Sequence, residues 1–322
     1  MAIRIGFVGT GGIAQMHMKN LQRIEGAQVV AMYDVAADRA AAAAAIFPGC
    51  KVYGSAQELI EKAGLQALWV CLPPFAHEQQ EIQAAKAGIN LFVEKPIATT
   101  VEKAMAINEA IGSSGVIAAV GYNWRWLDIT ARAKEILKSA PIAMAHGYWW
   151  GGMPGVSWWR RKDQSGGQAV EQTTHIFDLA RYLLGEVKQV FALGYQGLMR
   201  DIEHYNIEDA STVLLEFASG TIANISSTDL LPSGAGKTGL DLVGRDIRLE
   251  HNHRSLTVYR SAERTIYDAQ NDPYFVEDNA FIEAVASKDA SKLLCTYDDA
   301  LRTHMVTMAA NRSLATGRPE LV

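Results

Sequence analysis

The sequence lacks most of the features that mark secreted and membrane proteins. Only three of its 322 residues are cysteines, and their odd number and wide spacing form neither a metal-binding pattern nor a disulfide framework. No apolar stretch approaches the length of a membrane span, and no basic segment with a long apolar core opens the chain, so we expect no secretory signal. These absences favour a reducing, cytoplasmic setting.

Positive charge is not in excess either. The formal net charge of −5 and the pI near 5.9 give no electrostatic reason to expect a nucleic acid or an anionic membrane as partner. The sequence also shows no internal repeat and no low-complexity linker. What remains is an ordinary globular composition, 49% hydrophobic and 20% charged, in a chain long enough for two domains.

A glycine-rich turn follows the first predicted strand, residues 3–8, and precedes a predicted helix. Residues 9–14 read Gly-Thr-Gly-Gly-Ile-Ala, the G-x-G-x-x-A form of a dinucleotide-binding turn. Gly9 allows the tight turn, Gly11 lets the backbone approach a pyrophosphate, and Ala14 permits close packing of helix on strand. The helix N-terminus adds N–H groups and a positive dipole for the phosphates.

The second predicted strand, residues 29–33, ends in Asp34. This acid stands about twenty residues beyond the glycines, where a carboxylate binds the hydroxyls of the adenosine ribose and repels a 2′-phosphate. Val35 follows, rather than the arginine or serine that would accept a phosphate, so we predict NAD in preference to NADP. Asp34 is also a suitable cap for the next helix, and the two roles are compatible.

Strands and helices alternate with short connections as far as Tyr122, which predicts a doubly wound parallel sheet. Strand-like segments dominate from residue 187 to 267 and predict a largely antiparallel sheet. We therefore predict an α/β protein with a Rossmann NAD-binding domain in residues 1–122. Residues 123–322 are expected to form an α+β domain, for substrate binding and oligomerisation, with a large and mostly antiparallel open sheet.

The apolar strand at residues 91–93 runs directly into Glu94, Lys95 and Pro96. Charges at the carboxyl end of a parallel strand lie at the crevice where open α/β sheets bind ligands, and proline ends the strand pairing. By itself, Lys95 is more often a solvated lysine at a strand end. His77, predicted in the first turn of a helix over the same crevice, is by itself more often a packing histidine.

Glu171 and His175 are four residues apart in a predicted helix, so they share one face and can serve one pocket. The alternative is that the two side chains are only an acid and a histidine on a solvated helix face. His251 and His253 alternate on one predicted strand, but no third ligand is spaced nearby, and we predict no metal site. Aromatic faces against a pyranose explain some of five clustered tryptophans, and core packing explains about half or more. These five are Trp124, Trp126, Trp149, Trp158 and Trp159.

The glycine turn, the proline-rich turn with His77, the Glu94-Lys95-Pro96 motif and residues 166–175 occur in one order. Together they resemble the glucose–fructose oxidoreductase/inositol dehydrogenase/MocA-like family over essentially the whole chain. The resemblance implies a Rossmann domain and a second domain whose open sheet is commonly the oligomer interface, hence a homodimer or homotetramer. It also implies that Lys95 is the catalytic lysine beside the nicotinamide.

By the same resemblance, His175 contacts the reacting hydroxyl, and Glu171 stands where the family usually has aspartate. Asn123 follows the sixth strand on the nicotinamide side, and Trp159-Arg160 resembles a pair found near cofactor and substrate. The predicted cofactor residues are Gly9, Thr10, Gly11, Gly12, Ile13, Asp34, Leu72, Pro73, His77, Glu94, Lys95, Asn123 and Arg160. The predicted substrate residues are Lys95, Trp124, Trp126, Trp159, Glu171 and His175.

The function that we predict is transfer of a hydride between NAD and a secondary alcohol of a sugar, a sugar derivative or inositol. Lys95 or His175 would take the hydroxyl proton, and Glu171 would orient His175 or hold a neighbouring hydroxyl. The alternatives are a keto-sugar reductase and an NAD-dependent enzyme that cleaves glycosides through transient oxidation. A non-catalytic regulator that senses the cofactor predicts loss of Lys95 and His175, which are both present.

Overall fold

The computed structural model describes residues 2–77 and 79–322. The chain forms two compact units, of which the first comprises Met1–Asn123 and Asp272–Leu301. The second comprises Trp124–Asn271 and Arg302–Val322. The sequence predicts a division after residue 122 and no return of the chain. The return has a physical reason, because apolar side chains near residues 281–285 are part of the hydrophobic core of the first unit.

The first unit is built on six parallel strands in the order β3-β2-β1-β4-β5-β6. This is the doubly wound order, with its topological switch between β1 and β4, and it confirms the predicted sheet. The strands are β1 (Ile3–Val8), β2 (Ala27–Tyr33), β3 (Lys51–Val52), β4 (Ala67–Val70), β5 (Asn90–Val93) and β6 (Ala118–Val120). β4 is buried throughout, as expected for a parallel strand covered on both faces.

Some helices begin and end where the local sequence provides a signal. Ser55 and Thr100 each accept a hydrogen bond from a backbone N–H three residues further on, and Gly115 ends the helix before it in the left-handed region. The helices are α1 (Gly12–Leu21), α2 (Ala37–Ala44), α3 (Ala56–Lys62), α4 (Gln80–Lys86), α5 (Val101–Ser114), α6 (Asp128–Leu137), α7 (Lys162–Ser165), α8 (Gln168–Glu171), α9 (Thr174–Leu184), α10 (Pro273–Ser287) and α11 (Tyr297–Thr316).

One predicted helix start is wrong. His77 does not lie in the first turn of a helix, since its backbone is extended and α4 begins at Gln80. Pro74–Ala76 form a short 3-10 turn instead. Pro74 opens this turn, because its fixed φ suits the first position of a helical turn, and the turn ends at Ala76.

The second unit is built on nine strands in the order β14-β13-β12-β11-β7-β10-β9-β8-β15. Only the β7–β10 pairing is parallel, so the predicted mostly antiparallel sheet is confirmed. The strands are β7 (Ile142–Trp150), β8 (Val187–Tyr195), β9 (Ala210–Phe217), β10 (Ile222–Thr228), β11 (Lys237–Gly244), β12 (Ile247–His251), β13 (Ser255–Arg260), β14 (Glu263–Asp268) and β15 (Glu320–Leu321).

The two faces of this sheet differ. In β10, Ala223 and Ile225 are buried in the core of the second unit, whereas Ile222 on the opposite face is 54% exposed. Leu193 and Leu214 are also more than half exposed, and an apolar groove of about 410 Å³ lies on this side. Among the described residues, the helices include none that is both long and apolar enough to cross a membrane.

Candidate functional site

Parallel pairing brings five predicted cofactor residues to one edge of the first sheet. Gly9 follows β1, Asp34 follows β2, Leu72 follows β4, Glu94 follows β5 and Asn123 follows β6. Because all six strands run in one direction, their carboxyl ends meet along the same edge. This edge, at the switch between β1 and β4, is where doubly wound sheets bind nucleotides.

The glycine turn has the geometry that a pyrophosphate requires. Gly9 adopts φ +88°, and a Cβ there would lie 2.3 Å from the carbonyl oxygen of Cys71, so no other residue fits. Around Gly11 and Gly12, by contrast, no atom of the described residues lies within 4 Å of an added Cβ. α1 starts at this open space, and no side chain of the described residues caps it. Its first N–H groups are thus directed to the place for phosphates.

Asp34 is held by neighbours on three sides. Its carboxylate accepts hydrogen bonds from the N–H and hydroxyl of Thr10 at 2.7 and 2.9 Å and from the N–H of Ala36 at 2.9 Å. Arg39 binds both oxygens. Burial alone would raise the pKa of Asp34, but the hydrogen bonds from Arg39, Ala36 and Thr10 outweigh it and lower this pKa to about 2. Asp34 is therefore an anion throughout the neutral range.

His77 is fixed from within the first unit. It is fully buried, with Nδ1 against Glu81 and Nε2 3.2 Å from the carbonyl oxygen of Leu72. These contacts hold the proline-rich turn at Pro73 in place. Contact of His77 with the cofactor remains a prediction, and the structure assigns its ring nitrogens to packing of the turn.

Lys95 is half-buried at the end of β5, and the preceding Glu94 is 4% exposed. One oxygen of Glu94 accepts a hydrogen bond from the backbone N–H of Lys95 at 3.2 Å. The other lies 2.9 Å from Nε2 of His17, which is fully buried on α1. Sequence reasoning did not identify His17, because nothing in the spacing of α1 distinguishes it from a packing histidine.

α10 brings two further acids to the same place. Asp278 lies 2.8 Å from Nδ1 of His17 and also accepts hydrogen bonds from Asn20 at 2.9 Å and Trp69 at 3.2 Å. Glu277 is 2% exposed, and neither of its carboxylate oxygens has a hydrogen-bond partner among the described residues. These acids lie far from Glu94 in sequence, so no local pattern could have predicted that they meet.

One group of three among the described residues is close enough to bind a metal ion. His17, Glu94 and Glu277 each offer one ligand atom, and these atoms lie within 4.8 Å of one another. Both ring nitrogens of His17 already lie at hydrogen-bond distance from carboxylates, however. A proton on each nitrogen accounts for these distances.

Glu171 and His175 do not share a helix in the second unit. Glu171 ends α8 and His175 lies in α9, so the predicted spacing of four along one helix is wrong. The break arises because the carbonyl of Gln168 accepts the N–H groups of both Gln172 and Thr173, after which a new helix starts. Both side chains are buried, and the ring of His175 stacks on Trp149 with centroids 5.7 Å apart.

A buried ion pair fixes α9. Arg125 donates to both oxygens of Asp178 at 2.8 and 2.6 Å, and Thr303 donates to the same carboxylate at 2.8 Å. The side chains of Arg125 and Asp178 are at most 2% exposed. Two parallel hydrogen bonds between a guanidinium and a carboxylate restrict orientation as well as position. The N-terminus of α9, which carries His175, is thereby held in place.

Asp229, just after β10, was not identified from the sequence. It is 1% exposed, and neither carboxylate oxygen has a partner with hydrogen-bond geometry among the described residues. Burial first, and then the nearby carboxylates of Glu171 and Asp209, raise its pKa to about 7, while the Gln168 amide acts in the opposite direction. Strong perturbation of a buried acid beside a predicted site residue marks a functional candidate.

The remaining predicted residues of the second unit occupy distinct positions. Trp158 and Trp159 stack at 5.7 Å in a 3-10 turn, and Nε of Arg160 in the same turn donates to the carbonyl of Pro154. Trp124 is buried and packs in the core, whereas Trp126 is half-buried and its carbonyl accepts a hydrogen bond.

The predicted pairing of two histidines on one strand is wrong. His251 ends β12 and is buried, with Nε2 2.8 Å from the hydroxyl of Thr130 and its ring stacked on Trp124, whereas His253 lies in the following turn. Burial lowers the pKa of His251 to about 4, so its ring is neutral.

Comparison with known proteins agrees with this architecture. Residues 3–122 match the model described as "Oxidoreductase family, NAD-binding Rossmann fold", and residues 136–250 match the GFO/IDH/MocA C-terminal domain. Myo-inositol 2-dehydrogenase of Thermotoga maritima is 28% identical over 97% of this chain and 96% of its own. The scyllo-inositol 2-dehydrogenase (NAD(+)) of Bacillus subtilis is 28% identical over 98% and 95%.

A solved structure shows the same fold. Levoglucosan dehydrogenase, in a complex with NADH and levoglucosan, superposes with a TM-score of 0.88 at 20% identity and covers 100% of this chain and 99% of its own. With both family models matched in their proper order and the Rossmann edge intact, the chain belongs to the GFO/IDH/MocA family of NAD-binding oxidoreductases.

Proposed function

We propose that the protein oxidises a secondary alcohol of a sugar, a sugar derivative or an inositol, with NAD as the hydride acceptor. The observation that carries this proposal is the position of Lys95. It stands at the end of β5, on the sheet edge that also carries the turn at Gly9 and the carboxylate of Asp34. A titratable cation is thereby held on a rigid strand beside a nucleotide site, as a catalytic group requires.

The reaction removes a hydride from carbon and a proton from oxygen. When bound, NAD supplies the acceptor for the hydride. The chain must then take the hydroxyl proton, and we assign this step to Lys95 and His175, either of which is a suitable base. Glu171 is assigned to orient His175 or to bind a neighbouring hydroxyl. Trp126 and Trp159 are assigned to the substrate, because aromatic faces suit the C–H faces of a sugar ring.

Cyclic polyols are the first substrates to try. Two relatives that align over nearly their whole length are named for dehydrogenation of myo-inositol and scyllo-inositol at carbon 2. The buried acids Glu171 and Asp229 also suit a polyol, since carboxylates accept hydrogen bonds from several hydroxyls.

The test is a screen of inositols, aldoses and anhydrosugars for reduction of NAD, followed by the same screen in reverse with the corresponding ketones and NADH. We expect at least one cyclic polyol or pyranose to be oxidised. Lys95→Ala should then lose orders of magnitude in kcat with its fold intact. Lys86→Ala, which alters an exposed lysine in the same unit, is the matched control and should be neutral. Near-normal turnover of Lys95→Ala would remove Lys95 from the mechanism.

The open face of the nine-stranded sheet is the proposed oligomer interface. Its exposed apolar residues on the side opposite to the core include Leu193, Leu214 and Ile222, and the last two line the apolar groove. Surfaces of this kind commonly mark protein–protein contacts. Light scattering should show a homodimer or homotetramer, and Leu214→Lys should shift it toward the monomer. A wild-type monomer at micromolar concentration would contradict this assignment.

A further inference from the structure

The first unit contains a fully buried histidine between two carboxylates. Nε2 of His17 lies 2.9 Å from Glu94, and Nδ1 lies 2.8 Å from Asp278. All three side chains are at most 5% exposed. Neutral imidazole has one N–H, so it can donate to only one of these acids, whereas the imidazolium donates to both.

We propose that His17 is a positioning residue, an imidazolium held between Glu94 and Asp278 that fixes the Glu94 carboxylate and, through it, the backbone at Lys95. This inference goes beyond the proposed hydride transfer but rests on it for the role of Lys95. It assigns a function to a residue of α1 for which the sequence predicts none.

Three contacts restrict Glu94. His17 binds Oε1, and the N–H of Lys95 donates to Oε2 at 3.2 Å. The third contact is steric, since a Cβ added at Gly121 would lie 2.4 Å from Oε1 of Glu94. With both oxygens engaged and the backbone at Gly121 against one side, the carboxylate is restricted in position. Lys95 directly follows, so its backbone is held by the same group.

Asp278 anchors the other side of the ring. Asn20 and Trp69 donate to it at 2.9 and 3.2 Å, so three donors from α1 and β4 converge on one carboxylate of α10. This arrangement resembles the way in which an acid behind a histidine sets the orientation of the ring in many sites. The return of the chain to the first unit thus supplies the rear support of the strand end.

A protonated His17 places one positive charge between the two carboxylates. Burial alone would lower the pKa of His17, but Asp278 and Glu94 outweigh it and hold this pKa well above its usual value. Burial also raises the pKa of Glu277, which lies on α10 beside Asp278, and the pKa values of the Cys71 thiol and the Tyr274 hydroxyl. All three groups therefore stay neutral. Two carboxylates buried without a counter-charge would be strongly unfavourable, and the imidazolium supplies that charge.

The first test measures the protonation of His17 directly. The protein has eight histidines, and 15N labelling of them with assignment by His17→Gln identifies the ring of His17 by NMR. We expect both ring nitrogens to carry a proton at pH 8, about 1.5 units above the ordinary pKa of histidine. A neutral ring at that pH, or a stoichiometric metal ion found by elemental analysis and lost in His17→Gln, would overturn the proposal.

The second test measures positioning through kinetics. His17→Gln keeps one donor and removes the charge, and Gly121→Ala displaces Glu94 without altering His17. Both should lower kcat by about 10²-fold, the cost of a displacement of about 1 Å at a reacting group, while the Kd for NADH changes by less than about threefold. Gly112→Ala, at a helical position with no described atom within 4 Å of the new Cβ, is the control.

These outcomes separate the inference from the proposed function. If Lys95→Ala is inactive but Gly121→Ala and His17→Gln retain wild-type kcat, the positioning role is wrong and the proposed function stands. If Lys95→Ala is active, the proposed function fails, and the protonation of His17 at pH 8 still decides the charge assignment. If His17→Gln does not fold, the kcat of Gly121→Ala decides the positioning role, and the ring of His17 is assigned in the wild type through its contact with the ring of Phe92.

Discussion

Two clusters of buried acids, one in each unit, differ in how their carboxylates are paired. In the first unit, Glu94 and Asp278 share His17 as a partner and accept hydrogen bonds from further donors. In the second unit, Asp229 is equally buried, but its charged neighbours are Glu171 and Asp209, and its oxygens have no partner with hydrogen-bond geometry among the described residues. Glu94 and Asp278 are paired without a ligand, whereas Asp229 leaves acceptors that a ligand rich in hydroxyl groups would satisfy.

The contrast relates two parts of the proposed reaction to two ways of pairing buried acids. The end of a rigid strand that presents a reacting group is best fully paired, because any freedom there displaces the group. A pocket for a polyol is best left with unsatisfied acceptors, because these discriminate strongly against molecules that lack the hydroxyls. Unsatisfied acceptors lower the free energy of unfolding. The comparison can therefore be measured by the same substitution, aspartate to asparagine, at a paired and at an unpaired acid.

The largest expected effect is at a paired acid. Asp178→Asn removes the charge that neutralises Arg125, which is buried, and should lower the free energy of unfolding by about 3–5 kcal/mol. Denaturant unfolding followed by circular dichroism measures it. Lys188→Ala, which breaks an exposed pair with Glu216, is the control and should change stability by less than about 1 kcal/mol. Equal effects of the two variants would show that burial of the pair is not what matters.

The same type of substitution at Asp229 should act in the opposite direction. Its pKa is raised to about 7 in the folded protein and is about 4 in the unfolded chain, so the folded state binds more protons between these values. Stability should therefore fall as the pH rises from about 4 to 7, and Asp229→Asn should be more stable than the wild type at pH 8 by on the order of 1–3 kcal/mol. The two proteins should converge near pH 4.

Thermal unfolding as a function of pH decides this prediction. A loss of stability in Asp229→Asn at pH 8 would show that the carboxylate is paired in solution, and the contrast between the two units would disappear. Addition of a substrate polyol should reduce the difference in stability between the wild type and Asp229→Asn, because its hydroxyl groups would then supply the missing donors.

Gly11→Ala should separate binding from folding. An added Cβ meets no described atom, and the backbone at Gly11 is extended, so stability should change by less than about 1 kcal/mol. The methyl group would nevertheless occupy the space for the pyrophosphate and should weaken NADH binding about tenfold or more, measured by fluorescence titration. Unchanged affinity for NADH would show that the phosphates do not bind at this turn.

The smallest effect concerns the choice of cofactor. Because Asp34 is an anion held at the end of β2, the wild type should bind NADH more tightly than NADPH. Asp34→Ser should reduce the ratio of the affinity for NADH to the affinity for NADPH, since Arg39 is then released and can pair with a 2′-phosphate. Arg39→Ala should keep the preference for NADH. A clear preference of the wild type for NADPH would contradict the assignment of Asp34.

Local patterns predicted much of the first unit. The turn at Gly9, the position of Asp34 and the strand before Glu94 depend on residues that are close in sequence, and each lies where the pattern placed it. The network around His17 could not be predicted, because its partner Asp278 lies on a helix near the end of the chain. Such pairing depends on tertiary packing, which leaves no periodic signal in the sequence.

The second unit was harder to predict for the same reason. The mostly antiparallel sheet was expected from alternation, but the break between Glu171 and His175 was not, since it arises from one carbonyl that accepts two N–H groups. Arg125 pairs with α9, and Asp229 lies near the carboxylates of Glu171 and Asp209. Both contacts are between segments that are distant in sequence. Periodicity indicates which element a residue belongs to, and it does not indicate which charges that element will meet.

The turnover of Lys95→Ala, measured with NAD and the best polyol from the screen, tests the central claim most directly. The claim is that the end of β5 is the reacting end of an NAD-dependent dehydrogenase. We predict a loss of kcat of at least about 10²-fold, with an unchanged unfolding curve and an affinity for NADH close to that of the wild type. A kcat within about threefold of the value for Lys86→Ala would contradict the claim.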